Sequence, residues 1–200
     1  MAISERLQQF LKDAGVRHTV ATHPVAYTAQ EIAAAQHVPG RQLAKSVLVL
    51  TDRGPLLAVL PAIQRVDLPK LKQLLKATKL SIASEADIRK LFPDVEVGAM
   101  SPFGNLYNVP VLMDKTLTEA GEIAFNAGSH TETITMSCAD VAKLLQPTVG
   151  TFGRSIAPPA KPRRTPAKRS AKRTAKRTAA RKSAARRPAP RARTRRRSPR

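Results

Sequence analysis

The sequence predicts an α+β domain built on a mixed, mainly antiparallel β-sheet, barrel-like and flanked by helices, with a disordered basic C-terminal tail. Helical and strand patterns are interspersed over the first 150 residues, which indicates that both kinds of element pack in one domain. Hairpin-length connections between several of the strands favour antiparallel pairing. The last 50 residues contain no acidic residue, which separates them from the near-neutral first part.

The first quarter of the sequence predicts a helix, a strand and a second helix. The first helix ends at Gly15 and carries one apolar stripe, formed by Ile3, Leu7, Phe10, Leu11 and Ala14. A short strand follows over His18–Thr22. Thr28 and Glu31 have the spacing of a capping box, so we expect a helix from there to Gln36.

The middle of the sequence predicts a buried hairpin and a further helix. Lys45–Leu50 is rich in apolar and β-branched residues on both faces, which is typical of an interior strand. Leu56–Leu60 is its predicted hairpin partner. Asp67 caps a helix with Pro69 in its first turn and with a buried face formed by Leu71, Leu74 and Leu75.

The rest of the predicted domain contains two helices and three strands. Ser84 and Asp87 start a short helix that ends before Pro93. The strands are predicted over Val109–Met113, Ile123–Phe125 and Thr133–Met136. Ser137 caps a last helix that ends at Leu145.

The charge distribution predicts where the domain ends. Residues 1–150 contain 15 Lys/Arg and 14 Asp/Glu, whereas residues 151–200 contain 20 Lys/Arg and no acid. The tail has almost no apolar residue larger than alanine and repels itself, so it cannot bury enough surface to fold. We therefore predict a domain over residues 1–152 and a disordered tail over residues 153–200.

A four-residue repeat of two cations, a hydroxyl residue and alanine lies within the tail and resembles the basic tails of linker-histone-like proteins. No aromatic or amide side chains are interleaved, so such a repeat contacts phosphates rather than base edges. The predicted nucleic-acid contacts are Lys168, Arg169, Lys172, Arg173, Lys176 and Arg177. A solvated tail that only aids solubility is the alternative.

Several classes of protein are not favoured by this sequence. Cys138 is the single cysteine, so we expect a reducing compartment, and we interpret this residue as a small packed side chain. There is no long apolar run and no signal-peptide pattern, so we expect a cytoplasmic protein without a membrane partner. The four histidines show no metal-ligand spacing, and we expect neither a metal nor a cofactor.

Gly98–Gly104, with the sequence GAMSPFG, is predicted to be a shaped loop. Gly98 is free to adopt a positive φ, while Pro102 fixes one dihedral and lacks an N–H. Such loops often present backbone donors to a ligand, although an ordinary connecting turn is the alternative.

A lysine and a histidine are further candidates for a site. Lys45 shares a strand face with Val47 and Val49, so its ammonium either reaches solvent at the strand end or points into a pocket whose ligand is an anion. His130 ends a turn of small residues that begins at Asn126. A histidine there is either catalytic or a structurally bonded or exposed residue.

Five segments occur in the order and spacing of a known family: His23–Thr28, Ala44–Val49, Leu57–Pro61, Gly98–Gly104 and Asn126–His130. On these segments the first 150 or so residues resemble YbaK-type aminoacyl-tRNA deacylases, which are related to the editing domain inserted in bacterial prolyl-tRNA synthetases. The resemblance implies hydrolysis of the ester that joins a wrongly chosen amino acid to the 3'-terminal ribose of a tRNA. It implies no cofactor.

Carried over by position, the resemblance implies catalytic roles for Lys45, Gly98 and His130. The lysine would anchor the terminal phosphate or hydroxyls of the adenosine, the loop N–H groups would stabilise an oxyanion, and the histidine would orient water or shape the amino-acid pocket. The implied substrate-binding residues are Tyr27, Ser101, Pro102, Phe103, Gly104, Gly128 and Ser129. The two aromatic residues among them serve either as pocket wall and adenine stack or as core.

Two functions follow from this reading. The first is a trans-editing hydrolase that removes a small amino acid from tRNA. Its tail would raise the local concentration of tRNA and would also bind DNA or other RNA. The second is a non-catalytic nucleic-acid-binding protein that uses the domain as a binding module. The sequence determines neither the amino acid and the tRNA nor the oligomeric state.

Overall fold

A computed structural model describes residues 4–156 of the chain, and the predicted nucleic-acid contacts of the tail lie outside the described residues. The helices are α1 Glu5–Asp13, α2 Ala29–Ala35, α3 Leu68–Leu75, α4 Glu85–Leu91, α5 Lys115–Thr118 and α6 Cys138–Leu145. The strands are β1 His18–Thr22, β2 Ala44–Thr51, β3 Gly54–Pro61, β4 Gln64–Val66, β5 Leu80–Ile82, β6 Val111–Asp114, β7 Glu122–Asn126, β8 Glu132–Ser137, β9 Thr148–Gly150 and β10 Gly153–Ser155. Within this range no helix has the length and apolar character needed to span a bilayer.

The strands form three sheets. The largest has the order β5-β2-β3-β6-β9, with antiparallel pairing on both sides of β2 and parallel pairing of β6 with β3 and β9. The second, β1-β8-β7, is antiparallel, and β4 and β10 form an antiparallel ribbon. The predicted α+β class and mainly antiparallel pairing are confirmed. Within residues 4–156 the strands do not close into a barrel, because they divide among separate sheets.

The predicted helix starts are confirmed by their capping bonds. Each predicted N-cap side chain accepts the backbone N–H of the residue three positions later: Thr28, Asp67, Ser84 and Ser137. The Glu31 and Asp87 side chains bond back to the N-cap backbone and complete capping boxes at the starts of α2 and α4. These bonds depend on residues three apart in sequence, which explains why the sequence predicts them.

The predicted buried face of α3 is wrong at one position. Leu71 is fully buried and Leu75 packs beside it, whereas Leu74 is 44% exposed. Residues four apart share one helix face, and the contact that α3 makes is narrow enough to cover only that row. Leu74 lies at the edge of this contact, with its side chain next to Gly150.

The last strand extends the domain beyond its predicted end. β10 begins at Gly153 and pairs with β4 in antiparallel register. The backbone N–H of Ile156 then donates to the carbonyl of Ile63. A domain ending at residue 152 would lose this strand, which lies between Phe152 and Ile156.

One bridge links the two larger sheets. Leu43, just before β2, pairs in parallel with Ala124 of β7, and the N–H of Ala124 donates to the carbonyl of Gln42 at 2.9 Å. The start of β2, which carries Lys45, therefore lies beside the end of β7, which carries Asn126.

Cys138 is a packed residue, as its sequence context predicts. The side chain is buried and its Sγ lies 3.4 Å from the carbonyl oxygen of Leu117. Burial raises the pKa of the Cys138 thiol, which disfavours the reactive thiolate.

Candidate active site

A small cavity of about 30 Å³ lies where the two larger sheets meet. Apart from three aliphatic side chains, the residues that line it come from four separate parts of the chain: Tyr27, Lys45, Ser46, Gly98, Met100 and Asn126. Lys45 and Gly98, which the sequence singles out separately, thus share one cavity. Among residues 4–156 there is no cluster of three His, Cys, Asp or Glu side chains arranged to hold a metal ion.

The Lys45 side chain is half-buried at the start of β2, opposite Leu60 of β3. Burial lowers the pKa of the Lys45 amine, and the nearby positive charge of Arg65 lowers it further. Within the described part of the chain the ammonium forms no salt bridge. Of the two placements that the sequence leaves open, the structure has the one in which the lysine lines a pocket, and its charge is uncompensated there.

The turn that carries His130 is joined to the loop that carries Gly98. The His130 N–H donates to a carboxylate oxygen of Glu96 at 2.8 Å, and the Glu96 N–H donates to the carbonyl of Gly128 at 2.9 Å. The His130 ring adds a third bond, from Nε2 to the carbonyl of Val97 at 3.0 Å. Two loops far apart in sequence are thereby held as one unit.

These bonds define the hydrogen-bonding state of the His130 ring. A carbonyl oxygen only accepts, so Nε2 must carry the proton that it shares with Val97. In the neutral ring Nδ1 is then the acceptor. Nδ1 is buried and has no partner within residues 4–156, so one ring nitrogen stays available for a proton.

Gly98 has a backbone that few other residues adopt. Its φ is +92°, and a Cβ at this position would lie 3.5 Å from Cε1 of His130. Within the described residues the N–H groups of Gly98 and Met100 donate to no acceptor, whereas that of Ala99 donates to the carbonyl of Glu96. Two unpaired backbone donors therefore belong to residues that line the cavity.

Tyr27 covers the outer side of the site. The loop before it is fixed by two bonds, from the N–H of His23 to Thr131 and from the N–H of Ala26 to His130. The Tyr27 side chain is 72% exposed, and its ring centroid lies 4.9 Å from that of His130. This placement fits the pocket-wall alternative for Tyr27 and not the core alternative.

Phe103 and Gly104 lie away from the cavity, although the sequence groups them with the substrate-binding residues. Phe103 is fully buried, with its ring against those of Phe10 and Phe125 at 5.4 and 5.7 Å. A Cβ on Gly104 would lie 2.7 Å from the carbonyl oxygen of Val109. Both residues pack in the core, and their prediction as substrate contacts is not supported by this placement.

The remaining residues predicted to bind substrate do not line the cavity. Ser101 and Pro102 are buried, and neither lines the cavity. Gly128 has a φ of +103°, and a Cβ there would lie 3.2 Å from Cβ of Ser4. Ser129 is buried, with its hydroxyl 3.4 Å from that of Thr131.

Six lining residues are absent from the predicted site: the apolar Ile32, Leu43 and Ala44, and the residues Ser46, Met100 and Asn126. Ser46 follows Lys45 in β2, Met100 lies inside the predicted loop, and Asn126 ends β7. Asn126 carried a usable signal, because a polar amide that ends an apolar strand often faces a site. Met100 had none, since a loop lacks the periodicity that would separate its inward from its outward residues.

Comparisons with known proteins agree on the family of this fold. A model of the aminoacyl-tRNA editing domain matches residues 23–144. The chain is 28% identical to the prolyl-tRNA editing protein ProX of Acetoanaerobium sticklandii, over 71% of this chain and 90% of that protein. It is 30% identical to the multifunctional Ser/Thr-tRNA deacylase ProXp-y of Escherichia coli K12, over 76% of this chain and 93% of that protein.

Solved structures show the same fold. A candidate trans-editing enzyme for prolyl-tRNA synthetase superposes with a TM-score of 0.69 and 23% identity, over 76% of this chain and 97% of the other. The family match includes Tyr27, Lys45 and Gly98, which line the cavity. It also includes His130, which does not line the cavity but whose ring lies against Tyr27 and Gly98. The chain therefore belongs to the aminoacyl-tRNA editing domain family.

Proposed function

We propose that this protein is a hydrolase that removes a small, wrongly attached amino acid from the 3'-terminal adenosine of tRNA. The observation that carries the proposal is the shared cavity of Lys45 and Gly98, with the ring of His130 packed against Gly98. A cation, two free backbone donors and a proton acceptor are the groups that ester hydrolysis of an RNA-linked substrate needs.

The size of the cavity supports a small amino acid. The cavity measures about 30 Å³, which is on the scale of a water molecule and leaves room for a small side chain rather than a large one. The name of one relative, a Ser/Thr-tRNA deacylase, supports a small amino acid as the substrate.

The adenosine must then lie outside the cavity. The exposed ring of Tyr27 offers a flat surface at its mouth, and a base that stacks on an aromatic side chain gains about 1–3 kcal/mol. We infer that Lys45, at the same cavity, contacts the adjacent phosphate or ribose hydroxyls. Its charged form is unsuited to nucleophilic attack, so an anchoring role is favoured over a covalent one.

The loop supplies the stabilisation that the reaction needs most. Attack of water on the ester carbonyl places negative charge on the carbonyl oxygen, and the N–H groups of Gly98 and Met100 are available to donate hydrogen bonds to that oxygen. Nδ1 of His130 is buried in the free protein, so we propose that substrate binding opens it to the attacking water, whose proton it takes. The carbon–oxygen bond to the ribose then breaks, and the proton held by His130 passes to the ribose oxygen, which leaves as the free hydroxyl.

We further propose that the tail, with 20 cations and no acid in residues 151–200, raises the local concentration of tRNA. Removing residues 157–200 should weaken tRNA binding and flatten its salt dependence, while turnover of bound substrate is kept. An unchanged salt dependence would contradict the role of the tail.

The test of the proposed activity is a panel of mischarged tRNAs incubated with the purified full-length chain. Alanine, serine, cysteine, threonine and a large amino acid such as phenylalanine are each attached to the same tRNA, and loss of the label is followed. We expect release of one or more of the small amino acids and none of phenylalanine. No release from any tRNA, with tRNA binding intact, would instead favour the non-catalytic binding protein.

A further inference from the structure

The ribbon of β4 and β10 presents two arginines on one face. Arg65 and Arg154 are directly opposite each other in the antiparallel register, and side chains that are opposite in a ladder lie on the same side of the sheet. Both side chains are exposed. Within residues 4–156 neither forms a salt bridge with a carboxylate. Two like charges thus face each other without a protein partner.

The opposite face of the ribbon is attached to the domain. Asp114 is buried, and one of its carboxylate oxygens accepts the N–H groups of Phe152 and Gly153 at 2.9 and 2.7 Å. Nε2 of Gln64 donates to the hydroxyl of Thr116 at 3.1 Å. These bonds hold the ribbon against the domain and leave the arginine face toward solvent.

The arginine face is also close to the cavity. The N–H of Ala62, between β3 and β4, donates to the carbonyl of Leu43 at 2.8 Å, which holds the start of β4 beside the start of β2. Lys45 lies in that part of β2, and the charge of Arg65 is near enough to lower the pKa of its amine. Three cations from Lys45 to Arg154 therefore extend from the cavity onto the ribbon.

Opposite like charges are unfavourable in a sheet unless an anion lies between them. Arginine binds phosphate with a planar, bidentate geometry, and two adjacent guanidinium groups suit the phosphates of a flexible strand. We propose that Arg65 and Arg154 bind backbone phosphates of the unpaired 3' end of tRNA, just upstream of the adenosine whose ester lies in the cavity. This inference rests on the proposed function for the identity of the RNA.

The test compares two double variants of the full-length chain that remove the same charge. R65Q/R154Q removes the arginine face, and R53Q/K79Q removes two exposed cations at the other end of β2. Binding of uncharged tRNA is measured over a series of salt concentrations. Each phosphate contact on single-stranded nucleic acid contributes about 0.7 to the slope of log affinity against log salt. We therefore expect the slope to fall by about 1.4 for R65Q/R154Q and to stay unchanged for R53Q/K79Q.

Two further arms locate the contact. R65K/R154K keeps the charge and should restore most of the slope. A tRNA that lacks its unpaired 3' nucleotides should bind wild type and R65Q/R154Q equally. Equal slopes for the two double variants on intact tRNA would overturn the inference, as would an equal loss on the truncated tRNA. If R65Q/R154Q fails to fold, R154Q alone gives half the expected change.

The proposed function can fail separately from this inference. Deacylation of a free 3'-aminoacyl adenosine, which has no phosphate, is measured on the same proteins. The hydrolase and the RNA contact are both supported by one combination of results. In that combination, R65Q/R154Q deacylates this ester as wild type does, but its kcat/KM on aminoacyl-tRNA is about tenfold lower. Absence of deacylation with the slope change present would reject the hydrolase and keep the RNA contact, whereas deacylation with unchanged slopes would reject only the contact.

Discussion

The two ends of the Gly98–Gly104 loop differ in what they do. Gly98 is exposed, has a φ of +92° and lies against the ring of His130 at the cavity. Gly104 is buried, and a Cβ there would meet the carbonyl oxygen of Val109 at 2.7 Å. The first glycine is needed for a backbone conformation beside the site, and the second for close packing in the core. One motif thus combines a functional end with an end that anchors it.

This difference shows why a shaped loop can hold a site steady. Phe103 and Gly104 pack into the core and fix one end of the loop, while the hydrogen bonds of Glu96 and Val97 to the His130 turn fix the other. The residues between them reach the cavity. A group that must stabilise charge during a reaction works best when it is held in place beforehand.

The largest effect should come from Lys45, the cation of β2 that shares the cavity with the functional end of the loop. Lys45→Ala is expected to lower kcat/KM for deacylation by about 10²-fold to 10³-fold, because the uncompensated charge of the site is lost. The control is Lys79→Ala, an exposed lysine before β5. Wild-type activity in the Lys45 variant would break the proposed assignment of the site.

A comparable loss is expected for the proton acceptor. His130→Gln keeps a side-chain donor that can reach the carbonyl of Val97 but lacks the free ring nitrogen, so kcat should fall by about 10²-fold. The fall should occur with little change in the melting temperature. If kcat stays at the wild-type value, His130 serves only to join the two loops.

The two glycines give the direct test of the comparison. Gly104→Ala should cost about 1–3 kcal/mol of unfolding free energy through overpacking, with activity per folded molecule retained. Gly98→Ala has room for its methyl group but requires an unfavourable φ, which shifts the loop donors and lowers kcat more than stability. Thermal unfolding and single-turnover rates on both variants separate the effects. If the two variants lose stability and single-turnover rate to the same extent, the two ends of the loop do not differ in role.

The smallest effect concerns the charge of Lys45. Arg65→Gln removes a nearby positive charge, so the protonated amine becomes easier to maintain and the pKa of Lys45 should rise toward its ordinary value. Burial remains, so the pKa should still lie below that value. An NMR titration of the lysine side chain measures it, with Arg53→Gln as the control. An unchanged or lower pKa would show that Arg65 lies too far away to matter.

The sequence predicts most of the elements because their signals are local. The capping boxes at Thr28 and Ser84 and the hairpin of β2 and β3 depend on residues close in sequence. β4 and β10 have three residues each, too few for a pattern, and their register is set by contacts with Asp114 far along the chain.

The candidate site residues come from local motifs in the same way. The structure places Lys45 and Gly98 at one cavity and the ring of His130 against Gly98, while their catalytic roles stay a prediction. Which of the loop residues face the cavity is decided by tertiary packing: Met100 lines it, while Phe103 is in the core. The opposition of Arg65 and Arg154 is a property of strand register and has no sequence signal.

The most direct test of the account uses a substrate analogue that cannot be hydrolysed. Alanine joined through an amide to 3'-amino-3'-deoxyadenosine is added to the isotope-labelled protein, and changes in the backbone and side-chain NMR signals are mapped. We predict that the largest changes occur at Lys45, at Gly98 to Met100 and at His130, with the adenine shifting the signals of Tyr27. Saturable binding that leaves these residues unchanged would contradict the claim that they form one active site.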